Sequence, residues 1–202
     1  AMFFGGVTKR FPTLKFAFLE GGVSWACSLF SDLVGHWKKR NVNAIQNLDP
    51  ASTDKQLLRD YLTKYGDESV RNKLNDIMEW YSTPQRRPAV LDDWSVCGAN
   101  TLEELRNLFG ENFYFGCEAD DHMAASAINT KANPFGARLH AMMSSDIGHW
   151  DVTDMNEVIE EAYELVEQGV MSEQDFRDFT FTNPAMLYAS MNPDFFKGTS
   201  CE

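Results

Sequence analysis

Short aromatic or aliphatic runs alternate along this chain with stripes of helical period. Leu14-Lys15-Phe16-Ala17-Phe18-Leu19 is an apolar run closed by Glu20-Gly21-Gly22, which predicts a buried strand ending in a tight turn. From Val23 to Arg40 the spacing of Trp25, Leu29, Leu33 and Trp37 predicts a helix, and Lys38-Lys39-Arg40 place positive charge at its C-terminal end. Thr53-Asp54-Lys55-Gln56 reads as a capping box ahead of Leu57, Leu58, Tyr61, Leu62 and Tyr65, with Gly66 as the stop. Val70, Leu74, Ile77, Met78 and Tyr81 form the stripe of a further helix. The proline- and arginine-bearing stretch from Thr83 to Pro88 predicts a loop, leading to a short extended piece at Ala89-Val90-Leu91.

The second half repeats the scheme. Thr101-Leu102-Glu103-Glu104 is another capping box, opening a helix that stops at Gly110, and Asn112 to Cys117 reads as a strand followed by Glu118, Asp120 and Asp121. Ala137 to Met143 predicts a third strand, running into Ser144-Ser145-Asp146 and a loop, Ile147-Gly148-His149-Trp150. Met155, Val158, Ile159, Ala162, Leu165 and Val166 mark a long amphipathic helix. Strands separated by helices call for parallel pairing through right-handed crossovers, hence an α/β fold. Polar and acidic residues gather just after each strand, where α/β barrels place their active sites. A closed (β/α)₈ barrel takes about 250 residues, so 202 residues with three clear strands fall short of one. No repeat, low-complexity tract or linker divides the chain, which is read as one domain over residues 1–202.

Composition narrows the partners. Forty-four per cent hydrophobic residues support a real core, and 18 Lys+Arg against 30 Asp+Glu give a formal charge of -12, a field that repels nucleic acid and anionic lipid. Neither is expected as a partner. No stretch reaches the roughly 20 apolar residues of a membrane span and no secretory signal opens the chain, so a cytoplasmic location is expected. Cys27, Cys97, Cys117 and Cys201 form no C-x-x-C pair and are expected as reduced thiols. Met2-Phe3-Phe4 enters apolar sequence with no helix cap, as if the chain began mid-domain; a tag residue before a genuine Met2 is the other reading.

Asp146 is the leading candidate for chemistry: a carboxylate at a strand end can hold a divalent metal or take a proton from metal-bound water, or else cap the next turn. His149 is placed to orient substrate or move a proton, against a packed-loop role, and Trp150 to wall an apolar pocket. Glu20, ahead of two glycines that admit close backbone approach, falls on the same rim if the strands are parallel, and Glu118 follows the second strand there. His36 and His140 lie inside predicted elements and are assigned to structure. His122 sits among the acids of a helix start.

Gly5-Gly6-Val7 with Arg10-Phe11-Pro12-Thr13-Leu14-Lys15, then Leu19-Glu20-Gly21-Gly22, resembles the sixth-strand segment of amidohydrolase-related proteins of the amidohydrolase superfamily, the group that includes aminocarboxymuconate-semialdehyde decarboxylase and dihydroxybenzoate decarboxylase. Ser145-Asp146-Ile147-Gly148-His149 is similar to that family's eighth-strand signature, and Phe179 to Tyr188 to its closing helix. The resemblance covers roughly residues 5–40 and 100–195, leaving 43–98 as a helical insertion. It implies the C-terminal half of a TIM-type barrel and a hydrolase or non-oxidative decarboxylase acting on a small carboxylated or cyclic substrate. It further implies a divalent metal in the full-length parent, zinc first and manganese second. Of the family's ligands only the eighth-strand Asp carries over, onto Asp146. No His-x-His pair is present, and Glu20 stands where a His usually precedes Gly-Gly. One Asp and one His fall short of the three protein ligands of a catalytic zinc, so the chain alone is expected to bind no stoichiometric metal. The competing expectation is an inert or partner-dependent fragment, whose uncovered edges and faces would make it associate, as a homodimer among other forms, or aggregate.

Overall fold

A computed structural model describes residues 1–83 and 92–201. The expected loop and extended piece at 84–91 lie outside the described residues. Three strands, β1 (Phe16–Phe18), β2 (Phe113–Cys117) and β3 (His140–Met143), form one parallel sheet in the order β1-β2-β3. Phe18 pairs with Phe115, and Phe115 with Ala141. The fold is therefore mixed α/β with its strands adjacent in sequence order.

Around the sheet the chain places α1 (Val7–Arg10), α2 (Ser24–Arg40), α3 (Lys55–Tyr65), α4 (Glu68–Asn72), α5 (Leu74–Ser82), α6 (Trp94–Cys97), α7 (Leu102–Gly110), α8 (Val158–Glu167), α9 (Glu173–Arg177) and α10 (Asn183–Ala189). Alternation along β2 sorts its side chains between two faces. Phe113, Phe115 and Cys117 join Phe30 of α2 and Leu105 and Phe109 of α7 in the main core. Phe115 is 1% exposed and stacks on Phe18 at 5.8 Å. On the opposite face Tyr114 and Met142 pack against Leu187 of α10, and the Tyr114 hydroxyl is hydrogen-bonded to the Ser190 side chain. Both faces of β2 are thus covered, which explains why all five of its residues are buried.

The two sheet edges differ. Ser144 N–H donates to Cys117 C=O, so even-numbered positions of β3 face β2 and Ala141 faces outward. The Asn183 side-chain amide donates to that outward Ala141 carbonyl at 2.9 Å, and a π-helical turn over Asp178–Thr182 leads into α10 and sets Asn183 there. At β1 the inward partner is Phe16, whose N–H donates to Asn112 C=O, and Ala17 stands exposed on the outer side.

Several elements differ in extent from the sequence reading. The first strand spans three residues because Leu14 N–H is drawn into a turn on Phe11 C=O and Glu20 leaves extended geometry at φ 64°. The cap of α3 is Asp54, whose carboxylate accepts from Leu57 N–H, and Gln56 bonds Asp60 instead of closing a box with Thr53. The helix expected across Val70 to Tyr81 is two helices, parted at Lys73 where the backbone leaves helical geometry at φ −105°, ψ 10°. Residues 137–139 are not strand, since Leu139 N–H is committed to Ala127 C=O. Met155 precedes α8 in a turn organised by the Asp154 carboxylate. Helices α3, α4 and α5 bury no residue and touch mainly one another. All four cysteines are free thiols, and among the described residues no helix is long and apolar enough to cross a membrane.

Candidate functional site

Because the strands are parallel, the residues that follow them, Glu20, Glu118 and Asp146, all leave the sheet at its C-terminal edge. Strand order then separates them. Glu118 follows the central strand next to β3, whereas Glu20 follows β1, two strand spacings or about 10 Å from the β3 end. Glu20 is exposed and takes no part in the cleft described next.

That cleft, about 680 Å³, runs from the ends of β2 and β3 along α8. Ten carboxylates line it, from Glu118, Asp120, Asp146, Asp151, Asp154 and Glu157 to four glutamates of α8, and no lysine or arginine among the described residues joins them. The Glu118 carboxyl is raised above its ordinary range, first by desolvation and then by the negative charge of Asp120, Asp146, Asp151 and Asp121. The several carboxylates that contribute after desolvation make the cleft mouth a crowded anionic field.

Asp146 opens the loop after β3 in the left-handed region, φ 50°, and its carboxylate turns to His149, whose Nδ1 lies 2.8 Å from Oδ2. The capping role weighed for Asp146 is not what its carboxylate does here: the next helix among the described residues begins at Val158. His149 is not packed in the loop either, since its side chain is 59% exposed. With Nδ1 directed at Asp146, its Nε2 is free to face substrate or an ion. Asp151 completes the group: one ligand atom each from Asp146, His149 and Asp151 lie within 4.8 Å of one another. The sequence reading missed Asp151, although Asp146-x-x-His149-x-Asp151 was visible as a spacing. This donor set, two carboxylates and an imidazole, is chemically suited to zinc or manganese.

Trp150 corrects an expectation. Its side chain is 92% exposed and outside the cleft lining, so it walls no apolar pocket; the loop turns the indole to solvent as it brings Asp146 and Asp151 together. The remaining histidines lie elsewhere. His36 is exposed on α2, and His122 opens a 3₁₀ turn capped by Asp121. His140 is stacked on Tyr114 at 4.5 Å, and its Nδ1 is buried without a partner. Burial pushes its pKa down, and the nearby Lys15 charge adds to that. A comparison with protein-family models, curated proteins and solved structures found no match.

Proposed function

We propose that this chain is part of a metal-dependent α/β enzyme, a hydrolase or non-oxidative decarboxylase acting on a small molecule, whose sheet is the C-terminal half of a (β/α)₈-type barrel and whose Asp146 serves the metal. The observation that carries this reading is the convergence of Glu118, Asp146 and His149 at the C-terminal edge of consecutive parallel strands, the edge at which barrel enzymes do their chemistry.

A bound divalent ion would supply Lewis acidity and an activated water. The chain's own part is positional. Asp146 holds the His149 ring through Nδ1, so Nε2 is presented outward as a hydrogen-bonding or proton-transfer group. Glu118, its acidity weakened by desolvation and then by the neighbouring carboxylates, is the carboxyl best placed to carry a proton at the β2 end. Ten lining carboxylates, with no lysine or arginine beside them among the described residues, exceed the charge of one divalent ion and repel a carboxylate substrate, so the field favours hydrolysis of a neutral or cationic cyclic substrate over decarboxylation.

The test is turnover with added zinc or manganese, on lactones and cyclic amides for hydrolysis and on small carboxylic acids for carbon dioxide release. In the full-length parent, Asp146→Asn should remove nearly all turnover while leaving the fold intact, because asparagine tolerates a left-handed backbone. Wild-type rates in that variant would remove Asp146 from the mechanism. The partner-dependent reading has its own support in the exposed Leu14, Ala17 and Leu19 at the β1 edge. Absence of turnover under both metals, with self-association on dilution series, would favour it.

A further inference from the structure

The sequence reading left the chain with too few ligands to hold a metal alone. The structure changes that count. We infer that Asp146, His149 and Asp151 form a divalent-metal site complete within this chain, taking zinc or manganese without a ligand from any other segment. The inference deepens the enzyme reading, since it places the ion in the same cleft, but it concerns binding and stands or falls separately from turnover.

Three observations carry it. The donors are an imidazole and two carboxylates held on one six-residue loop, so no long-range closure is needed to assemble them. Their ligand atoms lie within 4.8 Å of one another, and an ion bound through His149 Nδ1 would replace the hydrogen bond that now joins that nitrogen to Asp146 Oδ2 at 2.8 Å. Zinc takes oxygen and nitrogen donors at about 2.0–2.2 Å, so two donors on one ion stand at most about 4.4 Å apart. The exposed side chains of His149 and Asp151 need only small rotations to meet that limit. Finally, the group opens onto a cleft that no lysine or arginine among the described residues lines, so none of those competes with a cation for the carboxylates. The imidazole separates this from a diffuse acidic surface: a nitrogen donor favours zinc over calcium.

The experiment is calorimetric titration of the full chain with zinc chloride, manganese chloride and calcium chloride in a non-chelating buffer at neutral pH. One zinc per chain is expected, bound at least tenfold more tightly than calcium. Asp151→Asn and His149→Ala should each weaken zinc at least tenfold. Asp154→Asn and Glu160→Gln, in the same cleft but outside the donor group, should stay within threefold of wild type. Circular dichroism and urea midpoints establish that each variant is folded. If all four substitutions weaken zinc equally, the cleft gathers cations as diffuse charge and the inference is overturned. Absence of stoichiometric zinc overturns it as well. Tight zinc with no turnover on any substrate would leave this site standing and sink the enzyme reading instead.

Discussion

Gly116→Ala tests how the sheet admits the loop that carries Asp146. Gly116 sits in β2 with ordinary strand backbone, so alanine meets no left-handed penalty there. An added Cβ would come to 2.9 Å from Ser144 Oγ and 3.2 Å from Leu19 Cα. The hydroxyl can rotate, but the Leu19 backbone in the neighbouring chain end cannot move without disturbing the close of β1. Overpacking of this kind costs about 1–3 kcal/mol. Restricting the unfolded chain returns about 0.4–1 kcal/mol. The net is a loss of up to about 2.6 kcal/mol, which at a urea dependence of about 2 kcal/mol/M lowers the midpoint by up to about 1.3 M. Ser144→Ala in the Gly116→Ala background should recover part of that loss and not all, because the Leu19 contact remains. Urea unfolding followed by tryptophan fluorescence measures both. A Gly116→Ala midpoint above wild type would refute the close approach of Leu19 and Ser144 to β2.

Three further outcomes are expected. Because the pKa of His140 is lowered in the folded state, the unfolded chain binds the proton more readily; stability is full above the unfolded value of about 6.5 and falls below it at up to about 1.4 kcal/mol per pH unit until the folded pKa is passed. His140→Gln should flatten that part of the stability-pH profile, and an unchanged slope would show that His140 does not resist protonation. Asn183→Ala removes the donor to Ala141 and should cost about 1–2 kcal/mol, read as faster amide exchange through β3; wild-type protection would show the bond to be idle. Thr101→Ala breaks a capping box in which both reciprocal hydrogen bonds are made, and should cost about 1 kcal/mol in thermal unfolding; no shift would mean that α7 is held by its core face alone.

The sequence was most legible where one local interaction decides the structure. Thr101 and Glu104 bond each other's backbone as their spacing requires, and the aromatic run of β2 has no alternative to burial. It was less legible where neighbours compete. Thr53 and Asp54 are both capping residues, and Asp54 takes Leu57 N–H. Ala137 to Leu139 carries strand-like apolar character, yet Leu139 is claimed by Ala127, a partner twelve residues back that no pattern of period two announces. At the site, Asp146 and His149 followed from a strand-end pattern, and their pairing is a short-range fact. The separation of Glu20 from them could not be read from the chain, because it depends on strand order and not on which edge each residue leaves. Trp150 shows the same limit: adjacency to His149 in sequence says nothing about which side of a loop faces water.

The hydrogen bond from Asn183 to Ala141 makes a single side chain imitate a neighbouring strand. A primary amide presents the same N–H donor that a backbone amide would offer at that position, so the outer carbonyl of β3 is satisfied without a ladder. Substitution of this stand-in by a real strand exchanges one N–H···O=C bond for another at no net loss, leaving only the packing of Leu187 and Ser190 to be displaced. The molecule therefore has unequal borders. Among the described residues, growth beside Phe16–Phe18 meets bare backbone, whereas growth beside His140–Met143 must first evict an impostor.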